Sequence, residues 1–202
     1  ADTSAENAEA WTGLTLTFGP VKADCVVRNL EDSVLLWGRG LLFRCTNTKL
    51  ANGGQDYEGS EDTILYGVRE DGRVEATGFT NDPNTWSALY EYPRENWENI
   101  KLISAGSRHV LGLKKTGYAI SYGNDSYGQV TGIDSWGGGL IGIAAGYEMS
   151  VGLKADGTIK TTGRDDYGQL SGTSSWTDIK DVAVGKCHTI GLKSDGTCVA
   201  CG

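Results

Sequence analysis

The chain is poor in the residues that linkers, metal centres and triads are made from: 3 prolines, 1 methionine and 2 histidines in 202 residues. Scarce proline argues against a Pro-rich linker. Two histidines in different parts of the sequence give a Ser-His-Asp arrangement or a His-rich metal site little to work with, so no catalytic residue, metal or cofactor is expected. Basic charge is also short, with 18 Lys and Arg against 26 Asp and Glu, a net charge of −8, and no basic cluster longer than Lys114-Lys115. Such a surface repels a phosphate backbone, which excludes direct nucleic-acid binding. No apolar run approaches the roughly 18 residues of a transmembrane helix, and the start lacks a basic segment followed by an apolar one. Five cysteines, Cys25, Cys45, Cys187, Cys198 and Cys201, are odd in number, so at least one is unpaired within the chain. The small, polar stretch 1–10 is expected to be flexible. It reads as a mature N-terminus after signal cleavage or as an arbitrary boundary, and secretion is preferred over a cytoplasmic location.

Glycine is abundant instead, 30 residues, roughly twice ordinary usage, and it is periodic. Trp97-Glu-Asn-Ile, Trp136-Gly-Gly-Gly and Trp176-Thr-Asp-Ile recur at spacings of 39 and 40 residues. Each is followed by an alternating apolar stretch ending in Gly106, Gly146 or Gly185, then by Leu111-Gly-Leu-Lys, Val151-Gly-Leu-Lys or Ile190-Gly-Leu-Lys, a turn at Gly117, Gly157 or Gly196, and a closing Gly123, Gly163 or Gly202. The frame extends back through Tyr66-Gly-Val-Arg-Glu-Asp-Gly72 to Gly78, and through Trp11 to Gly38. Five units result, about 11–38, 39–78, 79–123, 124–163 and 164–202, of which the second has the fewest landmarks.

Period-2 alternation predicts half-buried strands, and Asp-Gly between two such runs predicts a hairpin whose two central residues both take positive φ. Each unit is thus a small antiparallel sheet that cannot cover both its faces, so neighbours must stack radially or linearly. The fold class is all-β.

Ala105-Gly-Ser-Arg-His109, Val151-Gly-Leu-Lys-Ala-Asp-Gly-Thr158 and Gly123-Asn-Asp-Ser-Tyr-Gly-Gln129 resemble the repeats of the regulator-of-chromosome-condensation family, strongly over 97–202 and more weakly toward 11–38. The resemblance implies a β-propeller. The short period is similar to bacterial relatives, including propeller-shaped β-lactamase inhibitor proteins. Those relatives usually have seven blades, whereas five units fill this chain: a closed five-blade ring, part of a larger propeller, and an open set completed by oligomerisation are all compatible. Functionally the resemblance implies a scaffold presenting rim loops to a protein partner, with an enzyme inhibitor or a nucleotide exchange module for a small GTPase as alternatives.

Candidate partner-binding residues fall in two places. The segment 79–94 breaks the repeat and carries Trp86, Tyr90, Tyr92 and Arg94, the usual material of binding hot spots. Asn124, Asp125, Arg164 and Asp165 follow closing glycines and are read as variable rim positions. Tyr127-Gly-Gln129 and Tyr167-Gly-Gln169, fixed in register, read as packing and backbone hydrogen bonding. So do His109 and His188, because Met149 holds the same place between them. Cys198-Val-Ala-Cys201 on a strand points its two thiols to opposite faces. Gly137-Gly-Gly-Leu-Ile-Gly142 fits a dinucleotide fingerprint only formally, since no helix is expected after it.

Overall fold

A computed structural model describes residues 11–18, 21–30, 33–36, 50–53, 63–79 and 92–202. The segment 1–10, Trp86 and Tyr90 lie outside them, and side chains are described only from Ala51 onward. The chain divides into two units, residues 1–42 and 43–202. The first carries one antiparallel sheet, β1 (Trp11–Phe18), β2 (Val21–Leu30) and β3 (Ser33–Leu36), in register from Trp11 opposite Arg28 to Phe18 opposite Val21.

The second unit carries four three-stranded antiparallel sheets, each in sequence order. They are β4 to β6 (Leu50–Gly53, Thr63–Val68, Val74–Phe79), β7 to β9 (Ile100–Ala105, His109–Lys114, Ala119–Gly123), β10 to β12 (Leu140–Ala145, Met149–Lys154, Ile159–Gly163) and β13 to β15 (Ile179–Val184, Thr189–Lys193, Cys198–Cys201). One helical turn over 92–96 and two 3-10 turns, Thr131–Trp136 and Ser171–Ser175, lie in the connectors.

Three apolar layers join consecutive sheets. Tyr66, Val68 and Val74 pack with Ile100, Ile103 and Ala105. Leu111 and Leu113 meet Leu140, Ile143 and Ala145. Ala144, Met149, Val151 and Leu153 meet Ile179, Val182 and Val184. Because layers lie on both sides, the middle strands β8 and β11 are buried from His109 to Leu113 and from Met149 to Leu153, on both faces. This corrects the expectation of half-buried strands: alternation marks which residue faces which neighbour, not core against solvent. Ile190 is 37% exposed where its equivalents Leu111 and Val151 are fully buried.

The repeated Trp and the Gly of x-Gly-Leu-Lys form one packing device. A Cβ on Gly112, Gly152 or Gly191 would stand within 3 Å of the ring of Trp97, Trp136 or Trp176. The indole therefore lies directly on the backbone of the middle strand, and the fixed tryptophans serve as packing residues.

The hairpin turns also differ from expectation. Gly72, Gly117, Gly157 and Gly196 take φ of 80 to 88°, but the residue before each does not have positive φ. Gly157 N–H donates to Lys154 O at 3.0 Å and Lys154 N–H to Thr158 O at 2.9 Å, the pattern of a tight turn followed by a glycine bulge. Asp156 stays in the ordinary region and accepts from Thr158 N–H at 2.9 Å. Outward, the turn carbonyls tie one sheet to the next: Ile100, Leu140 and Ile179 N–H donate to Gly72, Gly117 and Gly157 O at 2.9 to 3.2 Å.

Candidate functional site

Opposite the Asp-Gly turns, the stack has a second edge. It is built from the loops after Gly106, Gly146 and Gly185 and from the connectors that follow Gly123 and Gly163. Asn124 N–H donates to Arg108 O at 2.8 Å and Arg164 N–H to Glu148 O at 2.9 Å, which seats each connector on the loop of its own sheet. Ser107 Oγ–H then reaches Tyr147 O of the next repeat at 2.7 Å. The close fit needs glycine: a Cβ on Gly163, at φ of 114°, would lie 2.4 Å from Glu148 O.

Within a connector the polar groups are consumed internally. Asp125 Oδ1 accepts from Val130 N–H at 2.7 Å and Thr131 N–H at 3.0 Å, and Oδ2 from the Thr131 hydroxyl at 2.7 Å. Partial burial pulls the other way, but these three donors hold the Asp125 carboxyl below the usual carboxylate range. Asp165 repeats the arrangement with Leu170 N–H at 2.6 Å and Ser171 N–H at 3.0 Å. Buried Gln129 accepts from Tyr127 N–H at 2.9 Å and donates to Asn124 Oδ1 at 3.0 Å. Asn124, Asp125 and Asp165 thus shape the connector, and the two aspartates do the same job at the same register. Asp125→Ala strands two amides and a hydroxyl, so it is expected to cost about 1 to 2 kcal/mol, the scale of a lost helix cap. The urea midpoint measures it.

What projects from this edge is mainly aromatic and cationic. Tyr127 and Tyr167 are 43% and 63% exposed, presented by identical turns, since Tyr167 N–H donates to Gln169 Oε1 at 2.8 Å as Tyr127 does to Gln129. The fixed register comes from the glycine and glutamine of the motif, which frees the tyrosine ring to face solvent. Arg164 pairs with Glu148 at 2.8 Å and with Asp166, and its guanidinium lies 5.1 Å from the Tyr127 ring centre. Lys186 lies 5.4 Å from the Tyr147 ring centre, and Arg108, whose carbonyl seats Asn124, is exposed on the same edge. Sequence reasoning missed Arg108, Tyr147 and Lys186. Their signal was present, because the two positions after Gly106, Gly146 and Gly185 differ in every repeat.

Tyr92 and Arg94 sit elsewhere, in the helical turn 92–96 against the outer strands β9 and β6. The Tyr92 ring stacks on Tyr122 with centres 4.0 Å apart, and Arg94 approaches Glu75 at 3.7 Å. Tyr122 occupies the register of Thr162 and Cys201. Those two pack against Gly132 and Gly172, where a Cβ would clash at 1.9 and 2.6 Å. In the irregular repeat an aromatic pair replaces this small-residue fit, so Tyr92 packs the helical turn 92–96 onto β9 while its other side stays in solvent.

His109 is fully buried and meets Ser150 Oγ of the next repeat at 3.0 Å. Ser150 gives its hydroxyl proton to Gln129 O at 2.8 Å. It can therefore only accept from the imidazole, which assigns the proton to Nε2 and leaves Nδ1 bare and unpaired. Burial pushes the His109 pKa down to about 4, against the Met149 backbone and the charge of Asp125, which favour the proton. Cys201 Sγ–H points to Gln169 O at 3.3 Å while Cys198 is exposed, two faces of one strand. Among the described residues no three His, Cys, Asp or Glu side chains gather as metal ligands.

Comparison with known proteins bears on the fold. Residues 100–129 match the family described as Regulator of chromosome condensation (RCC1) repeat. No curated protein matches the chain. Among solved structures, Prp20p from Saccharomyces cerevisiae, described with its binding properties to Gsp1p and histones, is 16% identical with a TM-score of 0.56 over 89% of this chain and 53% of that one. Yeast RCC1 (Prp20), in a structure with Kap60, is 18% identical with a TM-score of 0.57 over 88% and 51%. The CRINKLY WD40 ectodomain of the Arabidopsis thaliana receptor kinase ACR4 is 14% identical with a TM-score of 0.52 over 78% and 55%. The chain spans about half the length of these proteins. Taken with the Trp–Gly packing and the stacked three-stranded sheets, these matches show a regulator-of-chromosome-condensation repeat at residues 100–129 and a β-propeller fold for the three-stranded sheets.

Proposed function

We propose that this chain is a non-enzymatic scaffold that docks a protein partner on the edge formed by Arg108, Tyr127, Tyr147, Arg164, Tyr167 and Lys186. One observation carries the reading: the polar groups that shape the edge are satisfied within it, while tyrosines and cations, the residues enriched at protein interfaces, stand outward on a rigid base. The fold likeness to Prp20p, a protein with binding properties toward Gsp1p and histones, supports a macromolecular partner of the protein class. Trp86, Tyr90, Tyr92 and Arg94 of the insertion form a second proposed contact area, with Tyr92 also anchoring it. Enzyme inhibition and nucleotide exchange on a small GTPase are two finer forms of the same scaffold role.

A photo-crosslinking amino acid placed at Tyr127 tests this against the same label at Tyr118, which is 56% exposed on the opposite edge. In extract of the source organism, Tyr127 should give a discrete protein adduct at least tenfold over Tyr118. Equal labelling, or none at Tyr127, would remove the edge from consideration.

A further inference from the structure

On the edge that carries the hairpin turns, each turn faces the connector of the next repeat: a Cβ on Gly72, Gly117 or Gly157 would stand 3.1 to 3.2 Å from Asn99, Gly139 or Asp178. Two of these three seams are balanced in charge. Arg69, Arg73 and Lys101 answer Glu70, Asp71 and Glu98 in one, and Lys154 and Lys180 answer Asp156 and Asp178 in another. The seam between them breaks the pattern. Lys114 is followed by Lys115 where the next turn has Ala155, Thr116 stands for Asp156, Gly137-Gly-Gly139 takes the place of Thr177-Asp178, and Ile141 that of Lys180. Two lysines are left with no carboxylate in their turn or in the connector that faces it. Repeats are packed on both sides of the two that form this seam.

Apolar groups gather at the same place. Tyr118 replaces the threonine of the next turn, Thr158, and its ring lies over Gly138, where a Cβ would come within 2.9 Å of it. Lys154 Nζ donates to Gly138 O at 2.7 Å and holds the glycine segment in place. Gly139, at φ of 81°, has nothing within 4 Å of its Cβ position, so the backbone there is bare. Tyr118 is 56% and Ile141 42% exposed, and they adjoin the two ends of one bond, Leu140 N–H to Gly117 O at 3.0 Å. The result is a shelf of exposed ring, isoleucine and bare backbone beside two lysines, on a chain whose net charge is −8.

We infer that this shelf docks an acidic segment of a protein partner, its carboxylates on Lys114 and Lys115 and its chain laid across the Tyr118 ring and the glycine backbone. Charge complementarity selects the occupant. A nucleic acid has the right sign, but its charge extends past the seam over an acidic surface that repels it, whereas a short acidic segment meets only the local field. The site lies on the edge opposite Tyr127 and stands whether or not that edge docks a partner. Exposed ion pairs are weak one at a time, so an isolated segment is expected to bind at roughly 0.1 to 1 mM, too loosely to mark Tyr118 in a dilute extract.

The probe is an octapeptide of alternating Glu and Gly titrated into the intact chain and followed by nuclear magnetic resonance of the backbone amide and tyrosine ring signals. The same peptide with Gln for Glu is the neutral control, and a single-stranded DNA octamer is the competing anion. The Glu peptide should shift the signals of Lys114, Lys115 and Tyr118 and bind about fivefold more tightly than either of the others. Lys115→Ala together with Thr116→Asp rewrites the turn as the next repeat has it, a sequence this fold already accommodates at Ala155-Asp156, and should weaken Glu-peptide binding about fivefold. Tyr118→Thr, again the residue of the next turn, should weaken it about two- to threefold, and Tyr127→Ala should leave it unchanged. Equal affinity for the Glu and Gln peptides, tighter binding of the DNA octamer, or undiminished affinity in the double variant would each overturn the assignment.

Discussion

Gly106→Ala is expected to be among the most damaging single methyls that the described repeats can receive. A Cβ there would stand 2.2 Å from Gly146 O and 2.6 Å from the His109 ring. Neither can yield cheaply. The carbonyl belongs to the backbone loop of the next repeat and accepts from Ser107 N–H, and the imidazole is walled in on all sides. Forcing the loops apart would also strain Ser107 Oγ–H to Tyr147 O, the His109 to Ser150 bond, and with them the base of the candidate edge. Overpacking of this kind costs about 3 kcal/mol or more, which for a chain of this size lowers Tm by roughly 10 °C. Gly128→Ala is the comparison that gives the result meaning. Gly128 has φ of 75° but nothing within 4 Å of its Cβ position, so it carries only the left-handed backbone penalty of about 1 kcal/mol. Thermal unfolding of both variants should therefore separate two reasons for glycine in one repeat. Equal losses would mean that the loops give way to the methyl and that their approach does not fix Gly106.

The same contrast explains what the sequence could disclose. The Trp97–Gly112 family of contacts is local in register and recurs unchanged, so spacing alone revealed a small antiparallel sheet in each unit and the stacking of one unit on the next. The turn geometry was less accessible, because Asp-Gly suits two hairpin classes, and the choice depends on which carbonyl the strands leave opposite Lys154 N–H. The role of Asp125 and Asp165 was hidden for a related reason. A carboxylate after a closing glycine can face a partner or fold back, and only the path of the connector brings the amides five and six residues later within reach. Tyr92 carried a signal that was readable but needed the right comparison. The residue to compare was Tyr122, bulky where Thr162 and Cys201 are small, since a larger side chain on β9 requires a different cover from Gly132 and Gly172. Burial on both faces of β8 and β11 likewise follows from neighbours rather than from either strand's own pattern.

The second large effect is a dependence of stability on pH that runs through one residue. His109 has a pKa of about 4 in the folded chain and about 6.5 when unfolded. Between those values the unfolded chain binds a proton that the folded chain refuses, so stability rises with pH across this window and is lost as pH falls from 6.5 toward 4. The full difference approaches 3 kcal/mol at the lower end. Protonation would place a charge on a fully buried ring whose Nδ1 has no hydrogen-bond partner, between Gly106 and the β10 to β12 repeat, and the Met149 backbone and Asp125 only partly offset that burial, so the imidazole resists it until the fold itself gives way. Carboxylates titrate near the end of the same range, which makes a wild-type curve ambiguous alone. His109→Met resolves it, because Met149 shows that a thioether occupies this register without a polar partner, and Ser150 keeps its bond to Gln129 O in the variant. Urea midpoints from pH 7.5 to 4.5 should diverge: the wild type falls steadily below pH 6.5, while His109→Met falls only where carboxylates take up protons. Two parallel curves would mean that His109 is protonated in the folded state after all, and that the bare Nδ1 finds an acceptor in solution.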